Sequence, residues 1–363
     1  MMPMKQQFLL CLLIGLMLSC SSDRIAEQLD LTIRVNSDTT ISIPDRIELP
    51  PRQDFRIVVI SDLNSQYGST EYDPEVLQAI ALMPRWQPDL VLSGGDMIAG
   101  QKTSLSSQQI ERMWSAFDRQ IAAPLRELAI PFGFTIGNHD GSGAIKDRTL
   151  IFKRERELAQ TYWQQHDPKL RFSDRANFPF YYSFLQDEIF FLVWDASTAD
   201  ISPQQLQWIE QTLNSPPASQ AKVKIVLGHL PLYPVAQTKN KPGEYLTAGR
   251  KLQSLLSLHR VFMYVSGHHH VYYPGTLDNL NLLHAGALGQ GARQPIGSKL
   301  PPYKTLTVID LNLKTLGLTY TTYNATTWQK IALQQLPAFI PLADRKQRIV
   351  RQDLSVVQMP RLD

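Results

Sequence analysis

Short apolar runs alternate along the chain with segments whose apolar residues recur every three or four positions, and this alternation predicts strands separated by helices. Phe55–Ile60 has the unbroken apolar character of a buried strand and stops at Ser61-Asp62. From Pro74 to Met83, the spacing of Val76, Leu77, Ile80 and Ala81 is helical, and Pro84 and Pro88 end it before a strand over Leu90–Ser93. Strand, helix, strand is a crossover unit. A helix from about Gln108 to Leu128, striped by Met113, Trp114, Phe117 and Ile121, leads to a strand over Phe132–Ile136. The charged segment Ile151–Gln165 reads as a solvated surface or lid helix. Tyr181–Phe184 and Ile189–Trp194 are close enough to pair as a hairpin, and Ser202 before Pro203, with Gln205 following, predicts a capped helix through Leu213. Then come a strand Val223–Leu227, a long loop through Gly243, a helix Gly249–Leu258 and a strand Val261–Ser266. From Leu282 onward the pattern is of short strands, including Thr305–Leu311 and Leu318–Tyr323, and beyond Trp328 it supports only packing or a loose extension.

The polar positions are as regular as the apolar ones. Five strands close on small clusters: Ser61-Asp62-Leu63-Asn64, Gly94-Gly95-Asp96, Gly137-Asn138-His139-Asp140, Gly228-His229 and Gly267-His268-His269-His270. Carboxylate, amide oxygen and imidazole are ligands for hard and borderline divalent ions. The two cysteines, Cys11 and Cys20, both precede this body, which excludes disulfides, zinc-thiolate sites and cysteine nucleophiles from it. The set therefore leans toward manganese, iron, zinc or magnesium. It holds more ligands than one ion needs, and a bridging aspartate with separate ligands on either side is what two ions about 3.5 to 4 Å apart require.

These blocks resemble those of the calcineurin-like metallophosphoesterases, the superfamily that includes the purple acid phosphatases: D-x-H, G-D, G-N-H-[DE], a lone H after a strand, and G-H-x-H. Here they stand as Asp62-Leu63-Asn64, Gly95-Asp96, Gly137-Asn138-His139-Asp140, Gly228-His229 and Gly267-His268-His269-His270, over roughly Phe55 to Tyr323, with Gly286–Gly291 similar to the glycine-rich stretch after the last block. The resemblance implies an α/β fold, a four-layer α/β/β/α sandwich of two mixed sheets flanked by helices. It also implies that Asp62, Asp96 and His270 hold one metal ion and Asp96, Asn138, His229 and His268 the other. A hydroxide between the ions would attack phosphorus, His139 would stabilise the phosphoryl oxygens or protonate the leaving alkoxide, and Asp140 would fix its tautomer. Asn64 departs from the pattern: the family's metal-binding histidine is replaced by a neutral amide, whose oxygen still coordinates, gives way to a water, or leaves the site mononuclear, and weak coordination or an intervening water implies a looser first site that prefers harder ions such as manganese. The iron-binding tyrosine of the purple acid phosphatases would stand at Ala99.

The ends of the chain read differently. An apolar run from Phe8 to Leu18 is too short to span a bilayer, and the Met17-Leu18-Ser19-Cys20 that closes it resembles a bacterial lipoprotein box, so residues 1–20 are read as a signal peptide and Cys20 as a lipid anchor on the exported side of a membrane. Residues 21–52 read as a tether with a short edge strand at Leu31–Val35, residues 53–325 as the catalytic domain and 326–363 as a C-terminal extension. A net charge of +3 from 36 basic and 33 acidic residues indicates no nucleic-acid partner, and a phosphorylated small-molecule or ester substrate is what the resemblance implies. A phosphodiesterase or nucleotidase fits as well as a monoesterase, as does a non-catalytic binding lipoprotein with a degenerate first site. Several neighbours are read as ordinary. His166, His259 and His284 are hydrogen-bonded core residues, and His269, between two ligands of opposite facing, lies beside the site or at the surface. Gly95 to Thr103 fails as a phosphate loop because Gln101 separates Gly100 from Lys102. Phe178, Phe180, Tyr181 and Tyr182 are strand-face packing, and Arg293 is weighed as a phosphate contact against a surface arginine.

Overall fold

The computed structural model describes residues 32–36, 39–42, 47–343 and 347–354. Phe55–Ile60 is buried throughout, and it pairs parallel with Leu90–Ser93 and antiparallel with Thr305–Asn312. With Phe132–Phe134 beyond the first, and Gly317–Asn324 and Gln329–Lys330 beyond the second, these form a six-stranded mixed sheet. A second mixed sheet of nine strands has four parallel neighbours at its centre: Ile189–Val193, Val223–Leu227, Met263–Ser266 and Leu280–His284. The helices flank the two sheets, giving the four-layer α/β/β/α sandwich.

The sheets are joined by polar contacts as well as packing. The Tyr182 hydroxyl donates to the Phe134 carbonyl at 2.6 Å and accepts its N–H at 3.0 Å, and Thr135 Oγ1 donates to the Trp194 carbonyl at 3.2 Å. At the carboxyl ends the approach tightens until only glycine fits. A Cβ on Gly267 would lie 2.2 Å from Ser61 Oγ and 2.8 Å from the Gly94 carbonyl, so the last cluster meets the first two only because position 267 has no side chain. Parallel strands joined by crossovers end on one edge, which is where ligands bind in such sheets.

Four elements depart from the sequence-based expectation. Helix Pro74–Trp86 runs through Pro84 because its last turn is anchored by the fully buried Trp86. The long helix divides into Ser107–Phe117, a π-helical turn Asp118–Ala122 and Ala123–Glu127, with Pro124, which lacks an N–H, following the wide turn. Helix Lys153–Gln165 is the expected surface helix on one side only: Lys153, Glu157, Gln160 and Gln164 are exposed, while Glu155, Ala159, Tyr162 and Trp163 are buried and Trp163 stacks on Phe134 with ring centroids 3.7 Å apart. A hairpin of Tyr273–Leu277 and Leu280–His284 was hidden by Pro274 and Gly275, which break the apolar run.

Beyond Trp328, Phe339–Pro341 and Arg348–Arg351 extend the nine-stranded sheet at one edge. Thr32–Asn36 pairs with Thr39–Ser42 as a separate ribbon, outside both large sheets. The signal segment, Cys11 and Cys20 lie outside the described residues. Among the described residues no helix is long and apolar enough to cross a membrane.

Candidate metal centre

Three of the five strand ends deliver their side chains through turns that an ordinary residue resists. Asp62, Asp96, His268 and His270 have φ of 50°, 55°, 64° and 52°, in the left-handed region where a side chain costs roughly 1–3 kcal/mol. Four strained positions at one edge mark a place where geometry outranks stability. The turns are tied together by their backbones: Asp62 N–H donates to the Gly95 carbonyl at 2.9 Å, and the Leu63 and Asn64 N–H groups share the Asp96 carbonyl at 2.9 and 3.2 Å.

Two groups of ligand atoms result, Asp96 with His229 and His268, and Asp62 with Asp96 and His270, with the atoms of each within 4.8 Å of one another. Asp96 belongs to both. Asn138 joins the first group, its Oδ1 lying 2.9 Å from His229 Nε2, and Asn64 lies buried in the turn between Asp62 and Asp96. His139, Asp140 and the seven candidate ligands therefore converge on one edge.

The protons decide what the groups can hold. His229 Nδ1 is 2.7 Å from the Gly94 carbonyl, which can only accept, so the proton sits there and the Nε2 lone pair faces inward. Around it stand Asn138 Oδ1 at 2.9 Å, His268 Nδ1 at 3.2 Å and Asp96 Oδ2 at 3.3 Å. His268 Nε2 donates to Glu244 Oε2 at 2.9 Å, which leaves its Nδ1 bare as well. His270 Nδ1 is 2.9 Å from the Gly291 carbonyl, and its Nε2 lies 3.1 Å from Asp62 Oδ1. Lone pairs thus face lone pairs in both groups, an arrangement that a cation relieves. Burial alone would lower His229, but the charges of Asp96 and Asp62 raise it to about 9, so without an ion the pocket takes up a proton in its place. Burial would likewise raise Asp62 and Asp96, yet the neighbouring imidazoles hold both below the usual carboxylate range. His268 is lowered to about 4 by burial, and so offers a neutral imidazole at pH 7.

His139 and Asp140 do not form the pair expected of them. Asp140 accepts four backbone N–H groups, from Asp96 and Gly137 at 2.8 Å, Met97 at 2.7 Å and Ile98 at 2.9 Å, and so braces the turn carrying Asp96. Burial and the Asp96 charge push it up to about 7 against the pull of those donors. The His139 ring is held instead by the Gly100 carbonyl, 3.0 Å from Nδ1, which turns Nε2 toward Asp96 Oδ2 at 3.9 Å. A Cβ on Gly137 would lie 2.2 Å from Asp96 Oδ1, so the His139 turn also depends on a missing side chain.

Other residues escaped the sequence reading. Gln101 Oε1 accepts from Asn138 Nδ2 at 2.6 Å, which orients the amide with Oδ1 toward His229. Buried Glu155 accepts the Gln101 and Lys102 N–H groups at 3.0 and 3.2 Å and fixes that loop. Tyr67, 56% exposed, lays its ring 5.2 Å from that of His139 at the rim. Glu244 and Lys239, on the long loop after His229, flank His268. Only charge in an otherwise polar loop hinted at these last two. His269 is buried, not at the surface, and its ring fastens that loop. Arg293 donates its backbone N–H to the His270 carbonyl at 3.0 Å while its side chain lines a small cavity with Tyr272 and Tyr303.

A family model described as "Calcineurin-like phosphoesterase" matches residues 55–272. The mouse protein named "Serine/threonine-protein phosphatase CPPED1" is 26% identical over 246 residues, which are 62% of this chain and 69% of that protein. Among solved structures, the purple acid phosphatase PPD1 from yellow lupin seeds superposes with a TM-score of 0.53 at 16% identity. That likeness covers 81% of this chain and 55% of the lupin protein, so the chain spans about half the length of that relative.

Proposed function

The chain belongs to the calcineurin-like phosphoesterase family and is a phosphoester hydrolase, and from that premise we propose that it works with two divalent ions, one for each ligand group, with Asp96 common to both groups. The observation that carries this reading is the set of lone pairs around His229 Nε2, where no arrangement of protons satisfies Asn138 Oδ1, His268 Nδ1 and Asp96 Oδ2 together. Asp96, Asn138, His229 and His268 would hold one ion, and Asp62, Asp96 and His270 the other, with the Asn64 amide as a weaker neutral donor. Bound ions supply Lewis acidity, polarising phosphoryl oxygens and making water nucleophilic near neutral pH.

The chain's own residues do the rest. Rigid turns fix the distance between the two groups, and the Asp140 brace keeps the shared carboxylate from moving as charge develops. His139 donates Nδ1–H to the Gly100 carbonyl, so only the doubly protonated ring has a proton on Nε2, 3.9 Å from Asp96 Oδ2, to give to the leaving oxygen, which leaves the neutral imidazole behind. Tyr67 beside it offers a surface for the organic part of an ester.

The test is hydrolysis of p-nitrophenyl phosphate and bis-p-nitrophenyl phosphate by protein stripped of metal and reloaded with manganese, zinc, iron or magnesium. Turnover restored by metal is expected, and the ratio between substrates separates monoesterase from diesterase. No turnover with any metal would sink the proposal. The Met17-Leu18-Ser19-Cys20 segment further supports an exported enzyme anchored through a lipid on Cys20. Expressed Cys20→Ala protein should move from the membrane to the soluble fraction, and unchanged partition would remove that part.

A further inference from the structure

The long loop after His229 brings two opposite charges to the outer side of His268. Its two ends are tied by His269, whose Nδ1 accepts the Val235 and Ala236 N–H groups at 3.1 and 3.2 Å and whose Nε2 donates to the Glu244 carbonyl at 2.8 Å. Gln237 adds a second tie, donating from Nε2 to the Pro295 and Ser298 carbonyls, both at 3.1 Å. Between these ties Glu244 Oε2 lies 2.9 Å from both His268 Nε2 and Lys239 Nζ, and Lys239 Nζ lies 3.1 Å from His268 Nε2. The Lys239 and Glu244 side chains are only 15% and 23% exposed, so little water screens the group.

Glu244 only accepts and Lys239 only donates, so His268 Nε2 can satisfy one of them. With Nδ1 turned to the metal side, Nε2 carries the proton and gives it to Glu244. Lys239 then has no acceptor in His268, and its close approach is tolerated because both N–H donors share Glu244 Oε2. An imidazole whose outer N–H meets a full negative charge is a stronger ligand at its inner nitrogen. A cation on the same carboxylate oxygen takes part of that charge away.

We propose that Glu244 is a positioning residue that sets the strength of His268 as a metal ligand, and that Lys239 is the counter-charge that limits it. The two side chains, from one loop, pull on one imidazole in opposite directions. This rests on the two-ion reading above.

Chelator competition with zinc or manganese on the full protein tests it without reference to turnover. Glu244→Gln keeps an acceptor of the same shape but removes the charge, and should weaken binding at the His229–His268 group by about tenfold or more. Lys239→Met should tighten it, by roughly two- to fivefold. Lys241, 3.8 Å from Glu244 Oε1 and 67% exposed, serves as a control whose replacement by Met should change nothing. The opposite signs are the signature, since damage to the loop would weaken binding in both variants. Weakening in both, or no change with Glu244→Gln, overturns the proposal. Absence of any ion at the His229–His268 group of the wild type would overturn the two-ion reading and this one together; two bound ions with variants that do not separate in sign would overturn this one alone.

Discussion

The two ligand groups share Asp96 yet are built to different standards. Around His229 and His268 every donor has an outer partner from another element: the Gly94 carbonyl on His229, Glu244 on His268, and Gln101 on Asn138. Their exposure is correspondingly slight, 0% for the His229 side chain and 8% for His268. Around Asp62 and His270 the supports differ in kind: the Asp62 carboxylate accepts the His268 N–H, at 3.1 Å to Oδ1 and 3.2 Å to Oδ2. Ser61 Oγ donates to Asp62 at 2.6 Å and His270 leans on the Gly291 carbonyl with its side chain 13% exposed. Its remaining candidate is an amide, Asn64, where a histidine would add a basic nitrogen. The more exposed His270 ring and the neutral Asn64 amide make the Asp62 group the looser half of the proposed pair and the His229 group the tighter. Ions should load in that order.

The harshest test of this asymmetry removes what the halves have in common. Asp96→Asn takes a charge from both groups while keeping the shape of the turn, including an oxygen to accept the His139 N–H that Asp96 Oδ1 now takes at 2.8 Å. If the halves are bridged, the content of both ions should fall together and hydrolysis of p-nitrophenyl phosphate should drop about a thousandfold or more. Loss of one ion with the other retained would show that Asp96 serves one half alone, and the comparison would have to be redrawn around two separate sites.

Much of this asymmetry was legible in the sequence, and the reasons for the rest are physical. Strand ends are local: an apolar run, a glycine, then Asp or His fixes where a side chain emerges, so Asp62, Asp96, His229, His268 and His270 could be named without coordinates. Asn64 stood out because it interrupts a known pattern. The outer partners were not legible. Gln101 reaches Asn138, Glu155 holds Gln101, and Glu244 reaches His268 through tertiary contacts whose residues have no periodicity of their own. The buried face of helix Lys153–Gln165 is hidden for the same reason, since the charges of its exposed side mask the few residues that face the core. Strand alternation also gave the right separation of His269 from its neighbours on the wrong grounds: the strand stops at Ser266, and it is the left-handed turns at His268 and His270 that aim the rings.

A smaller effect is expected at Asp140, which supports the tight half and the shared ligand from below. Its carboxylate meets four N–H groups, and Asp140→Asn would set an amide N–H₂ against some of them. A stability loss of about 2 to 3 kcal/mol is expected from the unpaired donors, read as a shift of the denaturant midpoint. Activity should fall with it, because the Asp96 turn loses its brace, while the His139 ring, held by Gly100, should keep its place. A variant as stable as the wild type with weakened proton donation alone would restore the pairing of Asp140 with His139 that the geometry argues against.

The mildest change bears on the comparison most directly, because it aims to erase it. Asn64→His gives the loose half the nitrogen ligand it lacks, in a turn already fixed by the Asn64 N–H on the Asp96 carbonyl and the Gln290 N–H on the Asn64 carbonyl, at 3.2 and 3.1 Å. The backbone therefore needs no rearrangement, and the cost is confined to fitting a ring at a position that is 6% exposed. Affinity at the Asp62 group should rise by about tenfold and its preference should move from manganese toward zinc, as an imidazole in place of an amide oxygen dictates. The His229 group shares only Asp96 with it and should change little. Two-step metal titrations would then merge toward one step in the variant. Should occupancy and metal choice be the same as in the wild type, position 64 is no ligand in either form, and the looseness of that half comes from His270 and its single carbonyl support.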